Sequence, residues 1–140
     1  MKIGINLKES KLQSLNLKKL ILSTYRDLKI WQKSMVSVNN IYLETTKFPK
    51  EEIYGLTSQI RRASVSIPSN IAEGYGRESK KEYIRFLNIS ISSLFEVQTQ
   101  LEIGKNLSFL KENNFNSLYE DTREIECMLS SYIKKSKILN

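Results

Sequence analysis

The residues with the clearest chemical potential in this chain are cations that gather at the start of a predicted helix. They fall within about two helical turns and are Arg77, Lys80, Lys81 and Arg85. Lys81 and Arg85 are four residues apart and repel each other, and cations are also unfavourable at the positive end of a helix. A bound anion would relieve both effects, since guanidinium and ammonium groups are common ligands of nucleic-acid phosphates. The cluster therefore predicts a phosphate-binding surface, and the alternative is neutralisation by Glu78 and Glu82.

Two further cations, Arg61 and Arg62, lie side by side in the chain. Adjacent residues on a helix point about 100° apart, so the two side chains cannot share one role. We expect one of them to brace the fold through a carboxylate such as Glu73 or Asp27, and we leave the other open to contact phosphate. Both arginines are included with the cluster as predicted nucleic-acid-binding residues.

Residues suited to catalysis or metal binding are scarce. The chain has no histidine and one cysteine, which excludes Ser-His and Cys-His nucleophile pairs, an intramolecular disulfide and standard zinc sites. Glu120, Asp121 and Glu124 could hold a divalent cation, as in a nuclease, but a solvated acidic first turn is the preferred interpretation. The sequence therefore predicts a protein that is not an enzyme and has no catalytic residues, metal or cofactor.

The single cysteine, Cys127, precedes Met128 and is predicted to be a small core hydrophobe. One unpaired cysteine fits a reducing compartment. No apolar run approaches the roughly 20 residues that cross a bilayer, and the first residues lack the pattern of a signal peptide. We expect a cytoplasmic protein with no membrane partner.

The positive charge is unevenly distributed along the chain. The net charge is +7, of which residues 1–24 carry +4, residues 25–87 carry +4 and residues 88–140 carry −1. A basic excess confined to the first 87 residues favours a polyanionic partner, with nucleic acid ahead of a membrane surface, although it also suits plain solubility.

Four segments between residues 25 and 137 have the pattern of helices, and the low glycine and proline content excludes a turn-rich β fold. We expect the first helix to run from the N-cap Asp27 to Thr46 and the second from Pro49 or Lys50 to Gly74. The third should begin at a capping box formed by Ser79 and Glu82, and the fourth should run from Asn116 to Lys135. Pro68 should kink the second helix, and two separate helices are the alternative. The lysines that end the fourth helix are interpreted as partners of its dipole. The prediction is an all-α, antiparallel up-down-up-down four-helix bundle.

Apolar residues at helical spacing predict the core of this bundle. The first helix should bury Leu28, Trp31, Met35, Val38, Tyr42 and Thr45. The second should bury Ile53, Leu56, Ile60, Ala63 and Ile67, with Asn70 as a buried polar residue that fixes register and has Glu73 as a candidate partner. The third follows Tyr83, Leu87, Ser90, Leu94, Val97, Leu101 and Gly104. The fourth should bury Leu118, Ile125, Met128, Leu129, Tyr132 and Ile133. Because the third helix is also apolar off its stripe, at Phe95 for instance, we expect another subunit to cover part of it.

Residues 1–24 stand apart from the bundle domain, residues 25–140. Leu12, Leu15, Leu20 and Leu22 hint at a short amphipathic helix that lysines interrupt. We expect a loosely held basic extension that becomes ordered against a neighbour or a polyanion. A translation start assigned too far upstream is the alternative.

One run is more specific than any helical pattern, and it extends from Ile60 to Gly74 with the sequence IRRASVSIPSNIAEG. It resembles the signature of the bacterial four-helix-bundle proteins encoded within intervening sequences of 23S rRNA genes. Tyr25-Arg26-Asp27-Leu28, Tyr54-Gly55-Leu56-Thr57 and Arg85-Phe86-Leu87 fit the same family. The resemblance covers about residues 25–137, and Ser92 departs from the glycine that is usual there.

This resemblance implies an up-down-up-down bundle that assembles into a ring-like homopentamer. The family is similar to the accessory protein of diversity-generating retroelements, a basic pentamer that binds nucleic acid and a reverse transcriptase. The implied function is nucleic-acid or ribonucleoprotein binding without enzymatic activity. A scaffold that recruits an acidic protein partner is the alternative.

Overall fold

A computed structural model describes residues 6–138 of the chain, except for the side chains of residues 18–22. Within that range the protein is all-α, with no strand and with five α-helices: α1 (Leu7–Leu22), α2 (Lys29–Thr45), α3 (Leu56–Tyr75), α4 (Lys80–Asn106) and α5 (Glu112–Ile138). Two short 3₁₀ turns precede α2 and α3, at Tyr25–Asp27 and Lys50–Glu52. No helix in this part of the chain is long and apolar enough to span a membrane.

The four helices expected between residues 25 and 137 are present as α2 to α5, and α1 brings the count in residues 6–138 to five because most of the N-terminal extension is itself helical. The side chain of Asn6 caps α1 by accepting a hydrogen bond from the Lys8 amide at 3.1 Å. The four later helices form a closed arrangement in which α2 packs on α3, α3 on α4, α4 on α5, and α5 on α2. Residues 7–17, the part of α1 whose side chains the structure describes, pack on none of these four helices.

Local hydrogen bonds explain where the helices begin. Asp27 is not the N-cap of α2, because its carboxylate instead accepts from the Thr24 amide at 3.0 Å in the preceding turn. α3 begins later than expected, at Leu56, whose amide donates to the carboxylate of Glu52 at 2.9 Å. The predicted cap of α4 is confirmed on one side, since the Ser79 hydroxyl accepts from the Glu82 amide at 3.0 Å.

The core confirms most of the predicted stripes on α3, α4 and α5, whereas on α2 the predicted burial is confirmed for Thr45 but not for Met35 and Tyr42, which are 36% and 40% exposed. The residues that α2 buries are Ile30, Ser34, Ser37, Ile41 and Thr45. Two of these hydroxyl side chains bond to their own helix. The Ser34 and Thr45 hydroxyls donate to the carbonyls four residues earlier at 2.6 and 2.7 Å. Large apolar residues of the predicted stripe, such as Met35 and Tyr42, lie on the face of α2 next to the buried one.

α3 continues without interruption through Pro68, so the expectation of one helix rather than two is confirmed. The bend expected at Pro68 stays a prediction. Asn70 is half-buried and not a core residue. Its amide donates to the carbonyl and hydroxyl of Ser66 at 2.8 and 2.9 Å, so its predicted pairing with Glu73 is wrong.

Hydrogen bonds from small residues join α3 to α4 near Asn70. The hydroxyls of Ser66 and Ser93 lie 2.8 Å apart, and the Ser90 hydroxyl donates to the Ile67 carbonyl at 2.9 Å. Because such bonds need the two helices at one fixed offset, they hold the register that we had assigned to Asn70 alone.

Candidate nucleic-acid interface

The predicted basic cluster lies where α4 begins, and the last turn of α5 completes it. Lys80, Lys81 and Ile84 of α4 and Lys137 of α5 line one open cleft of about 430 Å³. Arg77 and Arg85 lie beside it and share contact with one aromatic ring. We call the five cations Arg77, Lys80, Lys81, Arg85 and Lys137 the basic end.

Phe86 organises the two arginines of the basic end. The guanidinium carbons of Arg77 and Arg85 lie 4.8 and 4.7 Å from the centre of its ring. The ring is 6% exposed, so it is a fixed platform on which both cations can stack. Stacking restricts each guanidinium while leaving its N–H groups able to reach an anion.

Phe86 can lie so deep because α3 approaches α4 closely at Gly74. A Cβ atom at position 74 would lie 2.8 Å from the Cβ of Phe86 and 2.9 Å from Cδ2 of Tyr83. Any side chain there would therefore push the two helices apart. The geometry of the basic end thus depends on a glycine that carries no charge.

Arg85 is already neutralised within the protein. Its Nε lies 3.2 Å from both carboxylate oxygens of Glu82, and its Nη2 lies 3.0 Å from one of them. Hydrogen bonding and charge from Arg85 lower the pKa of Glu82 below its ordinary value. For Arg85, the expected alternative of neutralisation by a nearby glutamate therefore applies.

Lys81 and Lys137 differ from Arg85 in this respect. Both are exposed, and neither has an ion-pair or hydrogen-bond partner within residues 6–138. Two cationic side chains that line one cleft repel each other. An anion in the cleft would be attracted by both.

Arg61 has a different environment, at the C-terminal end of α2. Its Nε donates to the Thr45 hydroxyl at 2.9 Å, its Nη2 donates to the Tyr42 carbonyl at 3.3 Å, and its guanidinium carbon lies 4.7 Å from the centre of the Tyr42 ring. These contacts join α3 to the last turn of α2, where cations stabilise unpaired carbonyls. The bracing role expected for one arginine is found here, but neither Glu73 nor Asp27 is its partner.

Replacing Arg61 with alanine should lower the free energy of unfolding by about 1–2 kcal/mol, because one substitution removes two hydrogen bonds and a cation–π contact. Replacing the exposed Arg62 with alanine should change it by less than about 0.5 kcal/mol. Urea unfolding followed by circular dichroism would measure both values. Equal losses for the two variants would contradict the assignment of the bracing role to Arg61.

The structure brings together four of the six predicted site residues and leaves Arg61 and Arg62 apart. Along α3, about 21 Å of helix separates Arg61 from Tyr75, which ends the helix two residues before Arg77. A nucleic-acid role for Arg61 and Arg62 stays a prediction.

Lys137 was missed by the sequence interpretation, which assigned the last lysines of α5 to the helix dipole. The order of the helices in the sequence could have predicted that Lys137 lies near the cluster. Because a short connection joins α4 to α5, the end of α5 is expected to return to the start of α4.

The structure also places Cys127 and the acidic residues of α5. Cys127 is exposed and is not a core residue. Glu124, one of the three acidic residues considered for a divalent cation, forms an ion pair with Lys33 of α2. Partial burial and the charge of Glu124 raise the pKa of Asp121.

Comparison with known proteins agrees with the resemblance in the sequence. The family model described as 23S rRNA-intervening sequence protein matches residues 26–131. A similar solved structure is the 1.70 Å crystal structure of a protein of unknown function from the S23 ribosomal protein family of Bacteroides thetaiotaomicron, with a TM-score of 0.67 and 27% identity. The match covers 75% of this chain and 98% of that one. No protein of curated description matches the sequence significantly. With a family match over most of its helical domain, the chain belongs to the 23S rRNA-intervening sequence protein family.

Proposed function

We propose that this protein is a non-enzymatic, oligomeric nucleic-acid-binding protein that contacts the phosphates of RNA, DNA or a ribonucleoprotein through the basic end. The observation that carries the proposal is the cleft that Lys80 and Lys81 of α4 line together with Lys137 of α5. Lysines from two helices thus contribute to one concave surface. The contact would be sequence-independent, because phosphate contacts position a protein on nucleic acid without reading its bases.

The arrangement that we propose for α2 to α5 is an antiparallel up-down-up-down four-helix bundle. Two contacts between α2 and α5 support it, because the contacted residue lies later in α5 when it lies earlier in α2. Lys33 near the start of α2 pairs with Glu124 of α5, whereas Glu44 at the end of α2 accepts from Asn114 at the start of α5, at 3.0 Å. In such a bundle the start of α4 and the end of α5 share one end.

We also propose that the chain forms a homo-oligomer, a pentamer as the family resemblance implies. Apolar residues exposed on the outer side of α4 support an interface, with Phe95 48% and Ile103 41% exposed. A second apolar surface lies in a groove between α2 and α3, lined in part by Trp31, Met35 and Val65. Cyclic symmetry would repeat the basic end once per subunit, so weak single contacts would gain avidity.

The assembly state has a direct test. Light scattering coupled to size-exclusion chromatography should give a mass about five times the 16.3 kDa of one chain. A 16.3 kDa particle at micromolar concentration would contradict the oligomer, whereas another multiple would correct only the number of subunits.

The double substitution Lys81→Glu with Lys137→Glu tests the nucleic-acid contact. We expect binding to labelled single-stranded RNA and to the matching DNA to weaken at least about tenfold near 0.1 M salt, because two phosphate contacts and their released counterions are lost. The slope of log affinity against log salt should become shallower by about 1.4. Fluorescence anisotropy over a series of salt concentrations measures both quantities.

A matched control is available at the other end of the helices. Lys50→Glu with Lys111→Glu makes the same change in net charge at two exposed lysines outside the basic end. If that control weakens binding as much as the basic-end variant does, the protein binds through its overall charge and the proposed site is wrong. Both variants must first retain the oligomeric state of the unaltered protein.

A protein-binding scaffold is the second candidate, and a particular groove favours it. Leu28, just before α2, and Met128 and Tyr132 of α5 line an apolar cleft of about 430 Å³, and Lys29 and Lys135 also line it. This chemistry suits an acidic amphipathic segment of another protein, such as a reverse transcriptase partner. Unchanged RNA binding in the basic-end variant would favour this candidate. For either role we propose the cytoplasm as the location, because Cys127 is a free thiol.

A further inference from the structure

The N-terminal helix α1 begins outside the family match, which starts at residue 26, and it is therefore an addition to the family domain. Its connection to that domain is short and well placed. α1 ends at Leu22, and the hydroxyl of the next residue, Ser23, lies 3.5 Å from the hydroxyl of Tyr75. Tyr75 ends α3 two residues before Arg77. The attachment point of α1 is therefore beside the basic end.

The described side chains of α1, residues 7–17, are exposed to solvent except that of Ser10, which is half-buried. Leu7, Leu12, Leu15 and Leu17 are 77%, 63%, 62% and 59% exposed. The 16 residues of α1 would reach about 24 Å from the attachment point. A helix of this length is marginally stable in water by itself, and residues 7–17 pack on no other helix, so a partner is expected to stabilise it.

The spacing of residues in α1 indicates what kind of partner that is. By helical position alone, the lysines at 8, 11, 18 and 19 fall within about 100° of the circumference at 100° per residue. The apolar positions 7, 12, 15, 17, 20, 21 and 22 are spread around the whole circumference, with no gap wider than about 80°. A partner helix would need a single apolar stripe. α1 has instead a single basic stripe, which matches a line of phosphates.

We propose that α1 is a tethered arm that binds the phosphate backbone of the same nucleic acid that occupies the basic end. This proposal rests on the function proposed above. The arm extends the basic surface beyond the family domain, and its attachment beside Arg77 makes the second contact intramolecular. Phosphates along the basic stripe would also relieve the repulsion between lysines on one face of α1, so binding should increase its helix content.

The test compares variants of the full chain on the labelled single-stranded RNA. Lys8→Glu with Lys11→Glu should weaken binding about tenfold near 0.1 M salt and make the salt slope shallower by about 1.4. Acidic residues in the first turns of a helix are favourable, so this variant does not act by unfolding α1. In the unaltered protein the far-ultraviolet helix signal should rise when RNA is added, and this rise should shrink in the variant.

Two controls separate charge from apolar surface. Lys50→Glu with Lys111→Glu matches the change in net charge. Leu12→Gln with Leu15→Gln removes exposed leucines without changing charge, and it should leave RNA affinity and oligomer mass as they are.

The outcomes distinguish this inference from the function on which it rests. If the α1 lysine variant binds RNA like the unaltered protein while the basic-end variant binds weakly, the arm proposal is wrong and the proposed function stands. If the leucine variant alters the oligomer mass while the lysine variant leaves binding unchanged, α1 is a protein-docking helix and the arm proposal is again wrong. If the unaltered protein binds no RNA or DNA, both proposals fail together.

Discussion

Replacing the buried Gly74 with valine should lower the free energy of unfolding by about 3 kcal/mol, a large loss for one substitution. The first added carbon would lie 2.8 Å from the Cβ of Phe86, and that atom is attached directly to the backbone of α4. No rotation of the phenylalanine side chain can remove this clash, so α3 and α4 must separate. Urea unfolding followed by circular dichroism measures the loss.

Gly76 provides the matched control for this substitution. A Cβ atom there would meet only the Glu73 carbonyl oxygen, at the ordinary distance of 3.6 Å. Gly76→Val should therefore change stability by less than about 0.5 kcal/mol. Equal effects at the two glycines would show that helix propensity, and not the close approach of α3 to α4, sets the result.

The Gly74 variant should also bind RNA more weakly than the unaltered protein. Phe86 carries the guanidinium groups of Arg77 and Arg85 on its ring, so displacing it moves both cations. Binding should be measured below the unfolding transition of the variant, so that loss of structure does not imitate loss of affinity.

The second large effect is expected from Leu94→Ala in the middle of α4. Leu94 is fully buried, and removing such a side chain costs about 2–5 kcal/mol through lost transfer energy and the cavity left behind. Thermal and urea unfolding would measure this loss.

The next residue, Phe95, is the matched position because it is 48% exposed. We expect Phe95→Ala to lower the stability of the folded chain less than Leu94→Ala does. If Phe95 lies between subunits, its substitution should lower the oligomer mass measured by light scattering. A larger loss of chain stability for Phe95→Ala than for Leu94→Ala would contradict the packing described here.

How much of this molecule could be predicted from its sequence varies with the kind of residue. The stripe of α4 was predicted well because large apolar residues such as Leu87 and Leu94 recur at helical spacing, and both are fully buried. Most of the stripe of α2 was predicted on a face next to the buried one, although Thr45 is buried as expected. The core positions of α2 include Ser34 and Ser37, and small polar residues such as these are not part of a pattern of large apolar residues.

The candidate site shows the same limit. The cations of α4 were found because they are close in sequence. Lys137 was missed because its nearness to Lys81 is a property of the tertiary fold. The adjacent Arg61 and Arg62 were correctly expected to differ, but the partners of Arg61 proved to be a hydroxyl, a carbonyl and a ring and not a carboxylate. Gly74 gave no chemical signal, although its position decides where Phe86 and the two arginines lie.

The most direct measurement of the central proposal is lysine footprinting of the unaltered protein with and without single-stranded RNA. Acetylation of each lysine is followed by mass spectrometry at low salt. We predict that RNA reduces the acetylation of Lys81 and Lys137 several-fold and leaves that of Lys50 and Lys111 unchanged. Protection of Lys50 and Lys111 in place of the basic end, or equal acetylation of all four lysines with and without RNA, would contradict the proposal that the cleft between α4 and α5 binds nucleic acid.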